Sequence, residues 1–297
     1  MTRRNFSSTL LAAGAAAASP RSPLMLGAPI YLKSTDPVEL AREHKRLGYA
    51  AAYCPQVKLE EKERIRAIEK AFADEKIVIS EVGRWVNLLD ADPAKRAANL
   101  KTVTDGLALA DEVGARCCVD IAGSFHEKVW YGAHPKNLSK EFFDAAVENA
   151  RKIIDAVKPK RSRFCYEMMG WAIPDTPDSY LRLIKAVARP AFAVHLDVCN
   201  AVNSPEKFFN NAALSRECIE KLGKWIVSCH AKDLAMIPEV NVHLVEVIPG
   251  RGEIDYKAFL SALRSLPAPV PLMIEHLKNA EEYAEAARYI RSVDATL

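Results

Sequence analysis

The chain lacks the glycine-rich turns of nucleotide-binding sheets. Neither GxGxxG nor GxxxxGK[ST] occurs, which removes the usual dinucleotide and P-loop sites. It has no CxxC pair; its seven cysteines are scattered, with only Cys117 and Cys118 adjacent, and an odd number fits a disulfide scaffold poorly. A strong charge of one sign is missing too. Formal net charge is +3 over 297 residues, so nothing asks for nucleic acid as a partner. Beyond the N-terminal stretch, no segment resembles a membrane span, and no linker rich in Gly, Ser or Pro divides the chain. What is present is ordinary globular composition, 49% hydrophobic and 27% charged, enough for one large domain. Cys54, Cys117, Cys118, Cys165, Cys199 and Cys229 lie in apolar runs and are expected as small buried hydrophobes.

Residues 1–19 read separately. Arg3-Arg4, with Phe6 two residues on, precede a short alanine-rich stretch to Ala18 and then Ser19-Pro20. A charged start, a weakly apolar segment and small residues describe an export signal, here of the twin-arginine type that carries folded proteins. The expectation is a periplasmic protein, or a cytoplasmic one if the signal does not function, with a single domain over 20–297. The apolar run is too short for a permanent anchor. Export in the folded state would also keep the cysteines unpaired outside the cytosol.

From Leu24 onward short apolar runs alternate with amphipathic ones. The apolar runs are 24–32, 51–56, 77–84, 117–123, 163–170, 192–200, 226–234 and 271–277, and they read as strands buried on both faces. Between them lie helical patterns such as Leu59–Asp74, Ala94–Val113 and Lys140–Val157, with a last one near Ala280–Val293. Asp36-Pro37, Asp92-Pro93, Thr176-Pro177 and Ser204-Pro205 each set a capping residue before a proline. The cap accepts an orphan N–H, and proline has none to waste at that position. Strand–helix alternation repeated eight times predicts a single-domain (β/α)8 TIM barrel.

In such a barrel, reactive groups sit at the C-terminal ends of strands. Those ends carry Glu81 and Arg84, Asp120, Glu167, then His195, Asp197 and Asn200, then His230, Lys232 and Asp233, and finally Glu275 and His276. A buried carboxylate is costly unless paired or metal-bound. Glu167, Asp197, His230 and Glu275 come from four successive strands, and three carboxylates with one imidazole suit one Mn²⁺, Mg²⁺ or Co²⁺ ion, with Zn²⁺ allowed. Glu81 and Asp120 are expected to brace a Lys or Arg, and His44 and His243 to lie at the surface.

The segments YEMMGW, HLDVCN, SCHAKD, IPGRGEIDY and LMIEHL resemble the xylose-isomerase-like TIM-barrel superfamily, in its sugar phosphate isomerase/epimerase branch. The resemblance covers the barrel from about Leu24 and is most specific over 163–277. It implies that Glu167, Asp197, His230 and Glu275 hold the metal and that Glu167 and Glu275 also move protons. Two positions depart from the ketose 3-epimerases: Asn200 stands where they carry histidine, and Ile173 where they carry a second glutamate. The implied activity is a metal-dependent sugar isomerase or epimerase working through an enediolate of a keto-sugar that the metal stabilises. A dehydratase or lyase on an inosose or keto-sugar is the alternative. Lys232, His195, Arg251, Asn200, Trp130 and Trp171, with Tyr131 beside them, are the candidate substrate contacts. The expected partner is a small sugar, unphosphorylated if the chain is exported, with no nucleic acid and no membrane anchor; a homo-oligomer is left open. An endonuclease is disfavoured, since that chemistry uses a zinc cluster and more than seven histidines. A non-catalytic sugar-binding barrel is disfavoured by the retention of both glutamates.

Overall fold

Four helices begin where a capping side chain precedes proline. Asp36 opens α1 (Pro37–Arg46), Asp92 opens α3 (Pro93–Val113), Thr176 opens α5 (Pro177–Val187) and Ser204 opens α7 (Pro205–Phe209). Each side chain accepts a first-turn N–H, and Thr176 completes a reciprocal box with Ser179, which satisfies donors the helix itself leaves open. The computed structural model describes residues 23–297, and the expected export signal lies outside them.

The strands are β1 (Met25–Gly27), β2 (Ala51–Tyr53), β3 (Val78–Gly83), β4 (Cys117–Asp120), β5 (Arg163–Glu167), β6 (Phe192–Leu196), β7 (Ile226–Ala231) and β10 (Pro271–Ile274). They close a parallel barrel in the order β1-β10-β7-β6-β5-β4-β3-β2, with α2 (Lys62–Asp74), α4 (Lys140–Val157), α8 (Asn211–Leu222), α9 (Tyr256–Arg264) and α10 (Ala280–Asp294) completing the coat. The barrel is therefore the expected one. Its strands are shorter than the apolar runs because the last residues of several runs turn over the mouth. Asp197, for example, leaves β6 to cap the short α6 (Val198–Ala201), its Oδ1 accepting the Asn200 N–H at 2.9 Å.

The seventh run departs most from expectation. It breaks at Lys232, and the chain continues as an antiparallel hairpin of β8 (Asp233–Ile237) with β9 (His243–Val247). Asp233 makes the break: its carboxylate accepts N–H groups from Leu234, Gly250, Gly252 and Ile254 at 2.8–3.1 Å. His44 also departs. It is 5% exposed, its ring tilted against Phe72 at 5.5 Å, because it shares the inner face of α1 with Ala41. His243 is exposed, as expected. All seven cysteines are free thiols; six are buried and Cys54 is partly so. No helix among the described residues is long and apolar enough to cross a membrane.

Candidate metal centre

The C-terminal ends of β5, β6, β7 and β10 converge on one point. Glu167 closes β5, Asp197 follows β6, His230 stands in β7 and Glu275 follows β10. One ligand atom from each lies within 4.8 Å of the others. His230 Nδ1 is 2.9 Å from Glu167 Oε1, 2.9 Å from Glu275 Oε1 and 3.6 Å from Asp197 Oδ2. Asp197 is fully buried and Glu167 only 6% exposed.

Charge in this pocket is poorly balanced by the chain alone. Glu81, Glu167, Asp197 and Glu275 face two imidazoles and a single ammonium, that of Lys232. Lys232 Nζ stands 3.0 Å from Asp197 Oδ2 and 3.2 Å from Glu275 Oε1, yet both oxygens are buried without an aligned hydrogen-bond donor. Two orphaned carboxylate oxygens beside an imidazole nitrogen fit a hard divalent cation. Electrostatics point the same way. Burial opposes charge on His230, but Glu275, Glu81 and Glu167 override it and raise the imidazole well above its usual value. Burial above all, with the Glu275 charge, raises Glu167. Glu275 resists the same burial and is held down at about 2 by His230 and Lys232.

The other expected residues divide. Asn200 is drawn into the cluster, donating to Glu167 Oε1 at 3.2 Å and accepting from Lys232 Nζ at 2.7 Å. Lys232, 4% exposed, faces the same side as His230. His195, expected to reach substrate oxygens, is instead fully buried. Its ring stands 4.1 Å from that of His230 and its Nε2 meets Glu81 Oε2 at 3.0 Å. Arg251 lines the mouth but is gripped by Glu285 at 2.7 and 2.8 Å. Trp130 packs edge-on to Tyr131, and Trp171 Nε1 donates to the Tyr131 carbonyl at 2.7 Å; all three are exposed, on the loops that follow β4 and β5. Glu81 and Asp120 brace no Lys or Arg. Glu81 receives two histidines and Ser228, while Asp120 accepts the backbone N–H groups of Val86 and Ile121.

Some residues at the mouth were not foreseen. Glu246 on β9 reaches Lys232 at 3.2 Å and His276 Nδ1 at 2.8 Å, and the Trp85 ring lies 6.4 Å from that of His230. The β-branched, apolar-rich run HLVEV at 243–247, set off by Pro238 and Pro249, was the available signal for the hairpin. A mouth cavity of about 270 Å³ is lined by Lys232, Glu246, Arg251, Glu275, His276 and Glu282, among others. A larger groove of about 860 Å³ lies in the outer layer between α8 and α9, away from the carboxylates.

A barrel whose last four strands deliver this set matches a known family model, the xylose isomerase-like TIM barrel, over residues 39–293. The chain belongs to that family. Solved structures share the fold with it across nearly their whole length. A xylose isomerase-like TIM-barrel protein from Mycobacterium smegmatis, in complex with magnesium, is 19% identical with a TM-score of 0.63, covering 93% of this chain and 97% of that one. D-psicose 3-epimerase from Clostridium cellulolyticum H10, bound to D-tagatose, is 14% identical with a TM-score of 0.65, covering 91% and 99%. The probable 3-DHS dehydratase AsbF from Bacillus anthracis is 14% identical with a TM-score of 0.64, covering 92% and 99%. At these identities the likeness carries the fold. No curated protein matches the chain significantly.

Proposed function

We propose that the protein is a divalent-metal-dependent isomerase or epimerase of an unphosphorylated keto-sugar. One observation carries the reading. Glu167 and Glu275 bring oxygens to 2.9 Å from the same His230 nitrogen from strands with two others between them, so they flank the centre. Glu167, Asp197, His230 and Glu275 would hold the metal, with Mn²⁺, Mg²⁺ or Co²⁺ suiting the donors. Bound there, the cation supplies Lewis-acid polarisation of a carbonyl and its neighbouring hydroxyl. The proton chemistry belongs to the chain. One glutamate takes a C–H proton beside the carbonyl and the other returns one from the opposite side. Lys232 and Asn200 donate hydrogen bonds at the inner wall, and His276 lines the mouth cavity.

An unphosphorylated substrate is favoured by the pairing of two of the three Lys and Arg side chains that line the mouth, Lys278 being the third. Lys232 is engaged by Asp197, Glu246 and Glu275, and Arg251 is held by Glu285. Export through the Arg3-Arg4 segment would likewise keep the protein away from cytosolic sugar phosphates. The likeness to the probable 3-DHS dehydratase AsbF makes elimination the second reading. The test is incubation of the Mn²⁺-loaded protein with keto-sugars in D₂O. An epimerase or isomerase washes solvent deuterium into the carbon beside the carbonyl and otherwise keeps the mass; a dehydratase loses one water. Glu167→Gln and Glu275→Gln should each lower turnover by about 10²–10⁴-fold. Full activity in either variant would refute two-glutamate proton transfer.

A further inference from the structure

Glu81 is a fully buried carboxylate with no ligand role in the four-residue set, and everything around it is arranged to hold it. Its Oε2 accepts from His195 Nε2 at 3.0 Å and from Ser228 Oγ at 2.8 Å, and its Oε1 lies 3.2 Å from His230 Nε2. Ser228 is steadied in turn by Ser80, Oγ to Oγ at 2.9 Å. The backbone departs from regular pairing to build this contact. Between β2 and β3 the register passes from Ile79 to Glu81, leaving Ser80 as the extra residue. Between β6 and β7 it passes from Ile226 to Ser228, leaving Val227 as the extra residue. A bulge re-aims the side chain that follows it, and two bulges on opposite sides of the barrel re-aim the two residues that meet, Glu81 and Ser228.

We infer that Glu81 is the positioning residue of the metal centre, fixing His230 so that Nε2 carries the proton and Nδ1 presents its lone pair to the Glu167, Asp197 and Glu275 oxygens. The inference rests on the metal reading above. Carboxylates, which only accept hydrogen bonds, face both ring nitrogens, Glu81 at Nε2 and Glu167 and Glu275 at Nδ1. With a cation held by the Glu167, Asp197 and Glu275 oxygens, Nδ1 would have to offer its lone pair, and Nε2 is then the nitrogen that donates to Glu81. His195, edge-on to His230 at 4.1 Å, limits rotation of that ring and ties the other Glu81 oxygen. Outer partners of this kind set tautomer, ring orientation and ligand basicity.

The test compares wild type, Glu81→Gln and Ser228→Ala. Glutamine keeps the shape of Glu81 but offers one accepting oxygen for two histidines. It should weaken Mn²⁺ affinity by about 10–100-fold and change the visible ligand-field bands of the Co²⁺-loaded protein. Ser228→Ala leaves the Glu81–His230 contact in place and should weaken Mn²⁺ less. On the wild type alone, long-range ¹⁵N–¹H correlation of the Zn²⁺-loaded protein should show His230 protonated at Nε2. Unchanged Mn²⁺ affinity and Co²⁺ bands in Glu81→Gln, or a His230 protonated at Nδ1, would overturn the assignment while leaving the metal reading intact. Failure of the wild type to bind any metal would overturn both.

Discussion

Replacing Asp233 by alanine removes the single side chain that folds the mouth loop back onto the barrel. Asp233 is 1% exposed and accepts four backbone N–H groups, from Leu234, Gly250, Gly252 and Ile254. Two of those donors, on Leu234 and Ile254, belong to buried residues and would be orphaned, each costing about 1–3 kcal/mol. The donors of Gly250 and Gly252 are nearer solvent, where water replaces the carboxylate, so each loses only about 0.5–1 kcal/mol. Allowing for relaxation of the loop, the loss is about 3–5 kcal/mol, which lowers Tm by roughly 10 °C. Urea denaturation followed by circular dichroism measures the global loss. Tryptic cleavage after Arg251 measures local opening, and it should accelerate with the loop released. A loss below about 1 kcal/mol with no faster cleavage would refute the idea that these four hydrogen bonds hold the loop.

Two further predictions concern backbone and charge. His276 has φ of +61°, a conformation that costs a non-glycine residue about 1–2 kcal/mol. After about 0.5–1 kcal/mol of extra chain entropy for glycine, His276→Gly should be more stable than His276→Ala by about 0.5–1 kcal/mol in thermal denaturation; equal or lower stability would contradict stored strain. Asp111 accepts the N–H groups of Lys160, Arg161 and Ser162 at 2.6–2.9 Å. Burial works against its charge, but these donors hold its pKa below the usual value. A depressed carboxylate stabilises the fold above its unfolded pKa and loses that contribution as pH falls through the folded one. Asp111→Ala should therefore cost about 1–2 kcal/mol at pH 7, the residue being only partly buried. The gap to wild type should narrow as pH falls through the ordinary aspartate range and on through the lower folded value; a gap independent of pH would contradict the charge-assisted bonds.

Much of the fold is legible because each local choice is explicit. The four cap-proline pairs start helices where they are written, and the apolar runs become strands since nothing else buries them on both faces. Glu167, Asp197, His230 and Glu275 stand out as polar residues inside such runs, and the barrel brings them together. What the sequence hides is set by geometry between distant strands. The bulges at Ser80 and Val227 depend on pairing register, which no single run displays, so Glu81 reads as a brace for a basic residue and His195 as a substrate contact. Glu246 was hidden because the run through Lys232 looks continuous. The break is made by Asp233, whose partners lie up to 21 residues further on. His44 was misread since one histidine among lysines and arginines gives no sign that its helix turns that face inward.

The most direct test is the metal content of the purified protein, measured by elemental mass spectrometry on wild type and His230→Ala after incubation with Mn²⁺, Mg²⁺, Co²⁺ or Zn²⁺ and removal of excess ion. About one ion per wild-type chain is expected for one complete donor set, with its loss in a folded His230→Ala variant. A wild type that binds none of the four would contradict the metal centre, leaving the four converging side chains as an ion-paired cluster around Lys232.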